Sequence, residues 1–255
     1  MLALAPFFFV TALLYAAVGF GGGSTYSALL LLGGADYRAV PVLSLACNIL
    51  VVAVGSWRFA RSGHVDWRRI RPLLALSVPL AWLGGRLAVA EPVFVGLLAL
   101  SLFAAGLLML WPPRRHRDGA PRLASRWLQA AASGALGFLA GIVGIGGGIF
   151  LAPLLYLLRW GTPRAIAGTS AVFILANSIS GLAGQLAKDH AAAGEVLAAH
   201  WPLFPAVLAG GLTGATLGSS RLDPKYIRIL TALLILYVAV RLGIRFYGET
   251  MGAAA

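Results

Sequence analysis

The chain has 255 residues, 60% of them hydrophobic and 11% charged, with 20 Lys and Arg against 8 Asp and Glu and a formal net charge of +12. A mean hydropathy of +0.87 and apolar runs from end to end exclude a soluble domain and point to an integral membrane protein. The basic residues sit in short connections between those runs rather than on one soluble face, which argues against nucleic acid as a partner.

In chain order the runs lie at 2–18, 39–57, 72–90, 93–111, 127–143, 165–186, 201–217 and 226–243. Each is long enough to cross a hydrocarbon core of about 30 Å, giving about eight crossings. The first run has no Lys or Arg before it, and the glycine motif after it recurs downstream, so it reads as a retained helix rather than a signal peptide. Cys47, the one cysteine, lies in an apolar run and reads as a small buried hydrophobe. The connections WRFARSGHVDWRRIR (57–71) and PPRRHRDGAPRLASR (112–126) carry five Arg each, which places both on the cytoplasmic side. Trp57, Trp67, Trp111, Trp127, Trp160 and Trp201 stand at run ends, as an interfacial belt requires.

Two stretches are similar to each other. GFGGGSTYSALLLL (19–32) and GIGGGIFLAPLLYL (144–157) share G-x-G-G-G followed by about ten apolar residues, and each precedes an Arg-led helix start, YRAVPVLSLACN (37–48) and PRAIAGTSAVFILAN (163–177). LGGRL (83–87) resembles LGSSRL (217–222). The expected fold is therefore an all-α polytopic membrane protein of about eight transmembrane helices plus two half-length, re-entrant or broken helices. It is built as two homologous repeats, 1–112 and 127–255, joined by a basic cytoplasmic linker at 113–126.

The short segments, near 24–33 and 149–158, rise only about 15 Å each, too little to span. Unwound backbone at membrane depth persists only where it is buried in protein or lines a cavity. The amides at the start of each short helix would then point inward with partial positive charge, as an anion site requires. The competing account is close helix packing, the role expected of the stripes Gly210, Gly214, Gly218 and Gly137, Gly141. If the short segments do not cross fully, the halves share one orientation with cytoplasmic termini; if they cross, the halves are inverted. Segment length favours the first.

The four His and nearly all Asp and Glu fall in connections or at run ends. An intramembrane hydrolase or metal transporter needs carboxylates, His or Cys at depth, so no catalytic residue, metal or cofactor is expected. The interior instead offers neutral donors suited to an oxyanion. The candidate substrate-binding set is Gly21, Gly22, Gly23, Ser24, Thr25, Asn48, Gly146, Gly147, Gly148, Thr169, Ser170 and Asn177. Ser44, Ser178 and Gln185 read more simply as helix-bonded or inter-helix groups. Arg38 and Arg164, at matching helix starts, either draw anions to the mouths or are solvated helix-end cations.

The paired glycine elements, the GTSAVFILAN run (168–177) and the two LG-containing helices together resemble the TauE/SafE family, over essentially the whole chain. The resemblance implies a bacterial inner-membrane permease, most simply an exporter, for small sulfur oxyanions or organosulfonates such as sulfite or sulfoacetate. Import of the same compounds or a passive anion channel are the alternatives. The implied partners are a small anionic substrate and the bilayer; a homodimer is left open, since a glycine stripe packs within a protomer or between two.

Overall fold

The computed structural model describes residues 2–17, 19–110, 126–158, 160–217 and 224–252. The basic linker expected at 113–126, together with Trp111, Arg159, Gly218 and most of LGSSRL, falls almost entirely outside the described residues. Within them the chain is helical, without strands. After a 3₁₀ turn at Leu2–Leu4 come α1 (Ala5–Ala17), α2 (Gly23–Leu32), α3 (Ala39–Arg61), α4 (Trp67–Arg86) and α5 (Glu91–Leu110). The remainder is α6 (Arg126–Val143), α7 (Gly148–Leu157), α8 (Pro163–Lys188), α9 (His190–Ala199), α10 (Leu203–Leu217) and α11 (Pro224–Gly252).

Local chemistry sets several of these boundaries. Asp66 caps α4 by accepting from the Arg68 and Arg69 amides, and Thr162 caps α8 by accepting from the Ala165 amide, with Pro163 as the first helical residue. Asp189 caps α9 through the Ala192 amide. That short helix is an addition to the eight expected runs; joined to α10 with a 70° bend, it lies at the end where α8 finishes.

Among the described residues α3, α5 and α8 are long and apolar enough to cross a bilayer, and α9 with α10 would make a fourth crossing. This is fewer than hydropathy alone suggests, because α1, α2 and the apolar parts of α6 and α11 are short. α4 begins with Arg68, Arg69 and Arg71 and ends with Arg86, which leaves only its middle free of charge.

Glycine contacts fix the helix directions. Gly210 and Gly214 of α10 pack against the Phe9 and Leu13 carbonyls of α1, so these helices run parallel. Gly137 and Gly141 of α6 pack against Ser77 and Ala81 of α4, also in parallel. The two stripes thus serve close packing, which allows backbones to approach within contact of one another. On α5, Gly96 faces Phe246 and Gly106 faces Leu236 of α11, an antiparallel pair. α3 and α8 are likewise antiparallel: a Cβ at Gly168 would lie 3.1 Å from Phe59 Cβ, and one at Gly181 would lie 3.3 Å from Leu45 Cδ1. The expectation of one shared orientation does not describe the pairs α3/α8 and α5/α11.

The broken element explains the difference. Gly19 lies beside Phe59, at the α3 end nearest the Arg-rich connection, whereas Gly23 lies beside Asn48 and Gly33 beside Leu4. Four residues of unwound chain precede α2, so residues 19–32 reach further than the roughly 15 Å of the helix alone. Counting helical residues alone overlooks this unwound stretch.

Candidate functional site

The two glycine elements meet at Asn48, which α3 carries at its middle and which is fully buried. Its Oδ1 accepts from the Gly23 amide at 2.8 Å, and its Nδ2 donates to the Ile145 carbonyl at 3.1 Å. One turn away, Ser44 Oγ lies 2.8 Å from both the Gly23 and Gly144 carbonyl oxygens. Ser27 Oγ donates to the Val143 carbonyl at 3.3 Å. Asn48 and Ser44 therefore clasp backbone from both elements. A buried amide or hydroxyl satisfied in this way stabilises, and one stripped of its partners is costly.

The glycines at the crossing leave no spare room. A Cβ on Gly21 or Gly23 would strike the Asn48 side chain, and one on Gly148 would overlap Ile174. A Cβ on Gly146 would lie 2.7 Å from Asn48 Nδ2 and 2.9 Å from Ser178 Oγ. Gly147 caps α7 with φ 73°, in the left-handed region that side chains disfavour. Gly22, its counterpart before α2, has φ −90° and needs no such freedom; the Tyr26 ring packs against it instead.

The sequence-selected residues divide into two groups. Ser24 and Thr25 are buried but engaged, their hydroxyls 3.2 and 2.9 Å from the Tyr15 hydroxyl. Tyr15, absent from the sequence-selected set, ties the start of α2 to α1. Gly21, Gly22, Gly23 and Asn48 form one wall of the crossing, and Gly146, Gly147 and Gly148 the other. Thr169, Ser170 and Asn177 lie on α8, which packs on α7 and α3. Asn177 Nδ2 donates to the Phe173 carbonyl of its own helix at 2.8 Å, while its Oδ1 has no protein partner. Thr169 Oγ1, Ser170 Oγ and Ser178 Oγ are also buried and unpartnered. This row covers about 14 Å of helix. The register that sets Leu45 against Gly181 places the buried, unpartnered Ser56 of α3 opposite Ser170.

Unpaired buried polar atoms are rare in native proteins, and four on two turns of one helix, with the apolar turn of Phe173 and Ile174 between them, call for partners. Hydroxyls donate to an oxyanion without the desolvation cost of a buried cation. At the surface, Arg38 at the start of α3 is exposed, and its Nε donates to the Tyr37 hydroxyl at 3.2 Å. That hydroxyl, with smaller contributions from the nearby charges, raises its pKa further, so it is cationic at any working pH. Among the described residues no group of three or more His, Cys, Asp or Glu is placed to hold a metal ion.

Comparison with known proteins shows the family. A family profile described as "Sulfite exporter TauE/SafE" matches residues 4–242. The chain is 35% identical over 242 residues to "Probable membrane transporter protein y4hK" of Sinorhizobium fredii, covering 94% of this chain and 96% of that protein. It is 24% identical over 244 residues to "Probable membrane transporter protein MJ0441" of Methanocaldococcus jannaschii, covering 89% of each. No solved structure matches. The chain is a member of the TauE/SafE sulfite exporter family of membrane transporters.

Proposed function

We propose that the protein is a secondary permease of the bacterial inner membrane that exports small sulfur oxyanions or organosulfonates, such as sulfite or sulfoacetate. The observation that carries the reading is the buried, unpartnered hydroxyls of Thr169, Ser170 and Ser178 on α8, beside the meeting point of two glycine elements. The anion would bind there, accepting from these hydroxyls and from the Gly148 and Ile149 amides that open α7, the Phe150 and Leu151 amides being already bonded to the Gly147 carbonyl. The family and its transporter relatives support the class of activity.

The halves act as inverted repeats, each with five passes of which the second is broken. The antiparallel pairs α3/α8 and α5/α11, and the parallel pairs α1/α10 and α6/α4, support this, because swapping the halves maps each pair onto itself or onto the other. With the 57–71 connection cytoplasmic, both chain ends then lie on the outer face. Rocking of one half against the other about the crossing would alternate access. A departing monoanion gains about 2.3 kcal/mol per 100 mV of inside-negative potential, so export needs no proton-coupling carboxylate at depth.

The test is the current recorded on a solid-supported membrane carrying proteoliposomes, challenged in turn with sulfite, sulfoacetate, taurine, sulfate, phosphate and chloride. Saturable current for a sulfur oxyanion that disappears in Gly148→Val is expected. Equal, non-saturating current for every anion would replace the permease by a passive channel.

A further inference from the structure

Beyond Ser178 the same face of α8 continues as Gly181, Gln185 and Lys188, so one stripe runs from Ser170 to the last residue of the helix, about 27 Å. Gln185 is 2% exposed. Its Nε2 donates to the Gly141 carbonyl at 3.2 Å, and its Oε1 accepts from Lys188 Nζ at 2.7 Å. Gly141 stands three residues before the second glycine element. One buried side chain thus connects a surface ammonium to the backbone that leads into the crossing.

The antiparallel register that pairs Leu45 with Gly181 brings the start of α3 to the end of α8, and Lys188 lies within electrostatic reach of Arg38. Two cations thus stand at this end, Arg38 bonded to Tyr37 and Lys188 to Gln185. Three carboxylates lie near them: Asp36 uses Oδ1 on the Arg38 amide, Asp189 uses Oδ1 on the Ala192 amide, and Glu91 acts on Arg38 at longer range. An oxyanion between the two cations would gain from both, in competition with these three carboxylates.

We propose that Arg38 and Lys188 form an oxyanion site at the outer mouth, with Gln185 as the positioning residue that links its occupancy to the second glycine element. This rests on the permease reading. An ionised oxyanion is a stronger acceptor for the Lys188 ammonium than the neutral Gln185 carbonyl. When the anion takes the ammonium, Gln185 is freed to donate or accept elsewhere, and the tie between the outer mouth and the α6 end of the loop loosens. The site would set the affinity seen from outside and leave the inner face unchanged.

Lys188 and Lys225 are the only lysines in the chain, which allows a readout independent of transport. In nanodiscs carrying Lys225→Arg, the acylation rate of Lys188 by a PEG-linked succinimidyl ester is followed by mass spectrometry, with sulfoacetate or chloride at fixed ionic strength. Sulfoacetate should protect Lys188 saturably, and Arg38→Gln should raise the half-protecting concentration about tenfold. Equal protection by chloride, or no effect of Arg38→Gln, overturns the site. In oriented proteoliposomes, Lys188→Gln should raise the external half-saturation about tenfold with the internal value unchanged, and Lys188→Arg should restore it; equal change on both faces overturns the site. Flux without protection removes this site and leaves the permease reading standing; protection without flux of any anion does the reverse.

Discussion

The two glycine elements share a motif but not a state of completion. In the first, Asn48 takes the Gly23 amide, Ser44 donates to the Gly23 carbonyl, and Tyr15 engages both Ser24 and Thr25. In the second, Gly147 turns left-handed into α7, and the adjoining helix presents Thr169, Ser170, Asn177 and Ser178 with oxygens that nothing in the protein satisfies. One element is sealed by side chains from its own half and acts as scaffold. The other lies beside buried hydroxyls without protein partners, the basis of the proposed site. Two copies of one glycine motif thus differ both in backbone at the residue before the helix and in the side chains around them.

The most severe test of this contrast is Gly148→Val. Its side chain would overlap Ile174 at the start of α7, so flux should fall to background while the protein still inserts and purifies; normal flux would remove the second element from the mechanism. Next is Asn48→Ala, which leaves the Gly23 amide and the Ile145 carbonyl buried without partners. It should cost about 3 kcal/mol and lower the detergent melting temperature, with loss of flux following loss of fold. If stability is unchanged but affinity collapses, Asn48 is a ligand rather than a clasp, and the contrast fails.

Ser170→Ala and Ser178→Ala remove no bond made within the protein. Each should raise the half-saturating concentration about tenfold while the melting point moves by the equivalent of less than about 0.5 kcal/mol. A large destabilisation instead would mean these hydroxyls serve packing. The smallest effect belongs to Tyr15→Phe, which should cost about 1 kcal/mol of stability with the half-saturation unchanged, since its hydroxyl serves α2 alone. A shift in substrate affinity in this variant would return the first element to the site.

Much of the helical layout is legible along the chain. The half-length helices expected near 24–33 and 149–158 are Gly23–Leu32 and Gly148–Leu157, because a glycine cluster followed by ten apolar residues sets both ends. The run expected at 72–90 is Trp67–Arg86, shifted because Asp66 caps the helix ahead of its apolar stretch. α9 escaped notice because HAAAGEVLAA is short and weakly patterned; Asp189 as its cap was the available signal. At the site, the motif pointed to Asn48 and Asn177 equally, since spacing cannot tell an amide that clasps a neighbouring backbone from one that bonds back to its own helix.

The sequence by itself determined that the chain is a helical membrane protein, where its broken helices lie and that its interior holds neutral donors, because composition and the glycine interruptions act locally. Only the tertiary structure decided that α3 and α8 run antiparallel, that Asn48 reaches a glycine element 97 residues further along the chain, and which hydroxyls stay unpartnered. Direction and hydrogen-bond satisfaction depend on which distant backbone arrives beside a side chain, and that is set by packing between helices rather than by the order of residues within one.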